Sequence, residues 1–216
     1  MKISISLFAC PHDYLSYSNL FSIHYADSIH VDIMDGICVP LVGVSYDALL
    51  KISRLYTLPI QIHLMVQNQM SELERILPLS AIDTVFLTIE KEPIDTILAC
   101  LQKIRQAGKK AAIALWPETD IEMIESFITN IDNLLVMTTK AGVSQSTFLQ
   151  TSYTRIENLL LFLKKKEINL KIGVDGGMTA ARLSKIKHLG VSYAVVGRSF
   201  FVPEEQVKII NLKLRD

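Results

Sequence analysis

Eight short apolar segments alternate along this chain with eight stretches of helical character, and that rhythm constrains the fold more than any single motif. The strand-like runs are Lys2 to Phe8, Ser28 to Met34, Pro59 to Met65, Thr84 to Ile89, Lys110 to Leu115, Asn133 to Met137, Asn169 to Val174 and Ser192 to Val196. The intervening patterns predict helices near Tyr14 to His24, Tyr46 to Arg54, Gln69 to Leu77, Pro93 to Ala107, Asp120 to Ile128, Tyr153 to Lys166, Ala180 to His188 and Glu204 to Leu212. A strand followed by a helix returns to its sheet in parallel, and eight such units argue for closure into a (β/α)₈ TIM barrel. An open, doubly wound sheet is the alternative the same alternation allows. Punctuation agrees with the units: Gly108 and Gly190 stand where helices end, Thr179 can cap the seventh helix, and Pro93 suits an early helical position.

With 216 residues, half of them apolar, the chain is long enough for a substantial core. No linker or shift in composition divides it, so one domain over residues 1–216 is expected. Basic and acidic residues balance at 22 each, which leaves no electrostatic footprint for nucleic acid or an anionic membrane. An anionic ligand must therefore be held by local groups. Cys10, Cys38 and Cys100 are odd in number and form no C-x-x-C pair, as expected of free thiols in the cytoplasm. The segment Lys2 to Cys10 superficially resembles a lipoprotein signal, but its apolar part is short and alternates with serines like a strand. No run approaches membrane-spanning length.

Within this frame the stretch Ile29 to Gly36, IHVDIMDG, places an imidazole and a carboxylate two residues apart. Strand alternation sends His30, Asp32 and Met34 to one face and Ile29, Val31 and Ile33 to the other. His63, Met137 and Asp175, at or near other strand ends, are its candidate complements. Two imidazoles and two carboxylates suit a divalent metal such as zinc, iron or manganese, and the carboxylates can also move protons. Each has a plainer reading. A lone histidine in an apolar strand is by default a hydrogen-bonded core residue, and Asp175 before two glycines is an ordinary turn. Asp32 resists that reading, since a carboxylate inside a strand needs a cation or donors. Asp35, in a DG step, reads as an exposed turn residue.

The Gly176-Gly177 step and the Gly197-Arg198-Ser199 step expose backbone N–H groups after strands seven and eight, where barrels often bind phosphate. Arg198 either adds charge there or faces solvent. Met34, Met65 and Met137 read first as core filler. The polar connection from Thr138 to about Ser152 lies over the barrel mouth as a candidate lid or substrate loop.

Taken together, MKISISL, IHVDIMDGICVP, IHLMV, ALWPET, LLVMTT, VDGG and VVGRSFF resemble the ribulose-phosphate 3-epimerase family, including its allulose-6-phosphate 3-epimerase branch, from end to end. That resemblance implies a ribulose-phosphate-binding barrel holding one divalent ion through His30, Asp32, His63 and Asp175. Zinc is the first expectation, with Fe²⁺, Mn²⁺ or Co²⁺ as substitutes. It further implies that Asp32 and Asp175 exchange the C3 proton of a ketose phosphate from opposite faces. Ser6 matches the family's serine near the end of strand one. Met34, Met65 and Met137 match its methionine wall, which reverses their reading as filler. Gly142, Gly176, Gly177, Gly197 and Ser199 match phosphate-binding positions, with Arg198 beside them.

The rim departs from the family pattern. A PGFGGQ-like turn is replaced by AGVSQS over Ala141 to Ser146, an asparagine by Leu41, an aromatic residue by Cys38, and a histidine by Thr88; Lys140 stands where an acidic residue or asparagine is common. The expected activity is interconversion of D-ribulose 5-phosphate and D-xylulose 5-phosphate in pentose phosphate metabolism. A hexulose 6-phosphate such as D-allulose 6-phosphate is the rival substrate. A non-catalytic sugar-phosphate binder and a decarboxylase of a 3-keto sugar acid phosphate are the rival roles. The expected partner is a small-molecule ketose phosphate, with no nucleic acid and no membrane, in a homo-oligomer.

Overall fold

Two-residue alternation governs every strand of the computed structural model, which describes residues 1–10, 23, 25–143 and 146–214. The strands are β1 (Lys2–Ser6), β2 (Ser28–Met34), β3 (Ile60–Met65), β4 (Ile82–Thr88), β5 (Lys110–Leu115), β6 (Asn133–Met137), β7 (Lys171–Asp175) and β8 (Tyr193–Val196). All pair in parallel with their sequence neighbours, and β8 pairs with β1, so the sheet closes into a barrel. The open-sheet alternative is thereby excluded.

Outward-facing Ile3, Ile5, Ile29, Val31, Ile62, Leu64, Val85, Leu87, Ile113, Leu134, Val174 and Val196 belong to one large apolar cluster shared with the helices. Those helices are α1 (Tyr46–Leu55), α2 (Gln69–Ile76), α3 (Ile94–Gln106), α4 (Ser152–Lys165), α5 (Ala180–Leu189) and α6 (Pro203–Leu214). Their starts and stops follow local chemistry. Ser45, Asn68 and Thr179 cap α1, α2 and α5 by accepting backbone N–H bonds, and Gly190 ends α5 in the left-handed region at φ 98°.

The inner face carries a second, smaller cluster that includes Met34, Met65, Phe86, Ala112, Ala114, Leu135, Met137, Tyr193 and Val195. Gly173 leaves room for one ring of this cluster: a Cβ there would lie 2.0 Å from Tyr193 Cε2. Tyr193 is buried in that space, where its hydroxyl donates to the Leu134 carbonyl at 3.2 Å. The middle of the barrel is thus filled, with Asp32, His63 and Asp175 on the strand-end side of the filling and Ser4, Gln61 and Thr84 on the strand-start side.

Several boundaries differ from expectation. β1 stops at Ser6, and Leu7–Ala9 forms a 3₁₀ turn over the mouth. The segment expected as a helix over Asp120 to Ile128 is a 3₁₀ turn at Ile121–Ser126. Its buried Ile124 and Phe127 stand three residues apart, the spacing of a three-residue turn, so docking onto the barrel outweighs helical propensity. The helix expected near Tyr14 to His24 lies outside the described residues apart from Ile23. Among the described residues no helix is long and apolar enough to cross a membrane.

Candidate metal centre and sugar-phosphate cleft

The register brings the candidate ligands to one level of the barrel. Asp32 lies opposite His63 across β2 and β3, Ser6 opposite His30 across β1 and β2, and Met137 opposite Asp175 across β6 and β7. His30 Nε2 stands 3.3 Å from Asp32 Oδ1 and 3.8 Å from Asp175 Oδ2, while His63 Nδ1 stands 3.4 Å from Asp32 Oδ1. One donor atom from each of these four residues lies within 4.8 Å of the others. The set is held from behind. Ser6 Oγ donates to Asp32 Oδ2 at 3.2 Å, and Thr138 Oγ1 donates to the backbone carbonyl of Asp175 at 2.9 Å.

Electrostatics show what this set lacks. Burial alone lowers the His30 pKa, but the Asp32 carboxylate beside it, followed by the charge of Asp175, raises it overall. Burial works to raise the pKa of Asp32, yet His30 and His63 together hold it far below the usual carboxylate range. For Asp175 burial prevails: with the Asp32 charge added, it pushes the pKa up to about 6 against the opposing pull of both imidazoles. Both ring nitrogens of His30 and of His63 are buried with no hydrogen-bond partner. With neutral imidazoles the group carries two negative charges, and desolvating ions costs several kcal/mol each unless they are compensated. Two imidazoles and two carboxylates with unsatisfied nitrogens therefore fit a divalent cation, which would neutralise the charge and ligate the imidazoles in one step.

Above the four donors opens a cleft of about 660 Å³, within the range of small-molecule sites. Ser6, Asp32 and Asp175 reach it, as do Met34, Met65 and Met137, whereas His30 and His63 lie fully buried beneath. Gly142, Gly176, Gly177, Gly197, Arg198 and Ser199 line its far end. The turns there need glycine. Gly176 has φ 120°, and a Cβ on it would lie 2.3 Å from Thr139 Oγ1; Gly142 has φ 58°, and a Cβ on it would meet Val39 at 2.2 Å. The Ser199 hydroxyl donates to the Met178 carbonyl, which engages its proton within the protein.

Three sequence expectations need revision or extension. Asp35 is half-buried: its carboxylate accepts from the N–H groups of Ile37, Cys38 and Gln67 at 2.7 to 2.8 Å, so it ties the loop after β2 to the loop after β3. Thr88 does not line the cleft; it is fully buried, and its hydroxyl donates to the Leu64 carbonyl at 2.8 Å. Arg182, Thr139 and Thr179 line the cleft although no sequence motif singled them out as ligand-binding. For Arg182 the available signal was its place in the first turn of the helix that follows the VDGG step. Of the loop that departs from the family pattern, Gly142, Val143 and Ser146 line the cleft, while Ser144 and Gln145 lie outside the described residues.

Comparison with known proteins gives a consistent result. A family model described as the ribulose-phosphate 3 epimerase family matches residues 2–201. The chain is 30% identical over 179 residues to a ribulose-phosphate 3-epimerase of Buchnera aphidicola, covering 82% of this chain and 76% of that protein. A ribulose-phosphate 3-epimerase of Helicobacter pylori is 27% identical over 207 residues, covering 95% and 93%. Among solved structures, a 3-hexulose-6-phosphate synthase from Salmonella typhimurium superposes with a TM-score of 0.71 at 19% identity, covering 100% of this chain and 99% of that one, which bears on the fold alone.

Proposed function

The chain belongs to the ribulose-phosphate 3-epimerase family, isomerases that act on carbohydrate phosphates, and from that premise we propose that it is a metal-dependent ketose-phosphate 3-epimerase interconverting D-ribulose 5-phosphate and D-xylulose 5-phosphate. The observation that carries the reading is the meeting of His30, Asp32, His63 and Asp175 at the floor of an open cleft, with two carboxylates among them. His30, Asp32, His63 and Asp175 would hold a divalent ion, with zinc the first choice for two imidazoles and two carboxylates, and the ion would supply the positive charge that stabilises an oxyanion of the substrate.

The protein's own residues account for the proton transfers. A C3–H beside a ketone is a weak acid, so the electron pair left when that bond breaks must be delocalised onto the C2 oxygen as an enediolate. One of Asp32 and Asp175 removes the proton, and the other returns one to the opposite face of C3. In the reverse direction the two exchange roles. Ser6 fixes the second oxygen of Asp32 through its hydrogen bond, and Thr138 fixes the backbone of Asp175. Met34, Met65 and Met137 present apolar, polarizable walls to the planar intermediate and keep water from it. The phosphate end is assigned to Gly142, Gly176, Gly177, Gly197, Arg198 and Ser199. Residues 1–216 act as one domain, in the cytoplasm and as a homo-oligomer. Buried Cys38 and Cys100, which form no disulfide, support the reducing compartment, and exposed Leu161, Val207 and Leu214 support association.

The altered rim, with Leu41 lining the cleft where the family pattern has asparagine, motivates a second reading, a hexulose 6-phosphate such as D-allulose 6-phosphate. Incubation of each ketose phosphate in heavy water tests both readings. Deuterium enters C3 of the true substrate and the epimer accumulates; prior removal of metal by a chelator abolishes both signals, and added zinc, manganese, iron or cobalt restores them. Binding without deuterium uptake identifies a non-catalytic sugar-phosphate protein, and full turnover in a metal-free preparation contradicts the mechanism.

A further inference from the structure

The far end of the cleft holds more positive charge than its glycine turns require. Lys140, Arg182 and Arg198 all line it, and among the described residues none of the three is paired with a carboxylate. Among the described residues the only acidic side chains lining the same cleft are Asp32 and Asp175, at its floor. Lys140 and Arg198 are exposed, but Arg182 is half-buried and held at two points. Its Nη1 donates to the Gly177 carbonyl, and its Cζ lies 4.7 Å from the centre of the Phe148 ring. Phe148 in turn packs against Gly177, where a Cβ would come within 3.1 Å of the Phe148 Cβ. The side chain therefore loses little freedom on binding a ligand, which is the usual entropic obstacle to using a long cation.

We infer that Arg182 is a substrate-binding, specificity-determining residue that grips the phosphate of the ketose through the guanidinium N–H groups its tether leaves free. The inference rests on the sugar-phosphate reading above. It adds a side-chain cation to a site otherwise assigned to backbone N–H groups and Arg198. A planar guanidinium matches two phosphate oxygens at once, and here its plane is set by stacking on Phe148. The consequence is a preference for a phosphorylated ketose over the free sugar, carried in part by α5 and not only by the loops after β7 and β8.

The test compares Arg182→Gln, Arg182→Lys and a control, Arg105→Gln, which removes the same charge from an exposed position outside the cleft. In Arg182→Gln, KM for the ketose phosphate is expected to rise about tenfold or more, with kcat changed much less, as for lost uniform binding. Arg182→Lys recovers part of the loss, because it keeps the charge but not the stacked fork. Arg105→Gln leaves KM unchanged. Affinity for inorganic phosphate, measured by calorimetry on the metal-loaded protein, should weaken in the same order. That readout also separates the two proposals: absence of C3 exchange in the wild type defeats the epimerase reading while phosphate affinity still judges Arg182. An unchanged KM and unchanged phosphate affinity in a folded Arg182→Gln, or equal losses in Arg182→Gln and Arg105→Gln, overturn the inference.

Discussion

Carboxylates occur at both ends of this barrel, and the two ends treat them in opposite ways. At the end where the strands begin, Asp27 accepts from the Ile3 N–H at 2.8 Å and pairs with Lys213 at 2.9 Å. Asp132 accepts from the Ala111 N–H at 2.9 Å, and Asp83 meets Lys110 Nζ at 2.8 Å. Each acid there has its own donor. At the opposite end Asp32 and Asp175 share one imidazole, while four ring nitrogens of His30 and His63 stay unsatisfied in the interior. Buried polar atoms are ordinarily paired, so the first end looks built for folding and the second for something it must still bind.

Substitution should separate the two ends. The largest effect is expected for Asp32→Asn and Asp175→Asn, each of which removes a proton carrier. Turnover of the ketose phosphate should fall by about 10² to 10⁴ in either variant, with little change in circular dichroism. Near-normal rates in both would erase the functional distinction between the ends. A smaller effect is expected for Gly43→Ala. A Cβ at Gly43 would lie 2.3 Å from the Asp32 carbonyl oxygen and 2.6 Å from the Met34 amide nitrogen, both backbone atoms that cannot swing aside. The end of β2 must shift, which should cost about 1–3 kcal/mol in denaturant unfolding and lower turnover through displacement of Asp32. Wild-type stability and turnover in that variant would show that β2 tolerates movement at its end.

The smallest effect belongs to the other end. Burial works to raise the Asp83 pKa, but the Lys110 hydrogen bond, with help from Thr84, lowers it overall. A carboxylate whose folded pKa is depressed contributes stability above its unfolded pKa, and that contribution fades as pH falls through the folded value. The pair is partly exposed, with Lys110 and Asp83 side chains 53% and 36% accessible, so solvent screening limits it to less than about 1 kcal/mol. Asp83→Asn should therefore lose a little stability at neutral pH, lose part of the acid-range slope of wild type, and leave turnover intact. A fall in turnover would blur the division between the ends.

The barrel was legible because its signals are local. Alternation within each strand fixes which face is inner, and the same alternation puts His30, Asp32 and Met34 on one face. The four donors were legible for a related reason, since each lies on a strand whose register closure then determines. What escaped depends on distant partners. Asp35 looks like a turn residue because its bond to the Gln67 N–H spans 32 residues. Arg182 looks like an ordinary helical arginine until Phe148, from a different loop, slides beneath it. The six residues Ile121–Ser126 carry a helical pattern, yet Ile124 and Phe127 dock at a spacing that favours the tighter turn.

Tyr193 bears on traffic through the molecule. Its ring occupies the space vacated by Gly173 and lies 6.2 Å from Phe86, so the barrel has no passage through its centre. Among the described residues these rings close the barrel centre beneath Asp175, so a ligand that enters the cleft from the strand ends leaves on the same side. Under the proposed function, product still lodged inside bars the next sugar from entering, so occupancy by one epimer excludes the other.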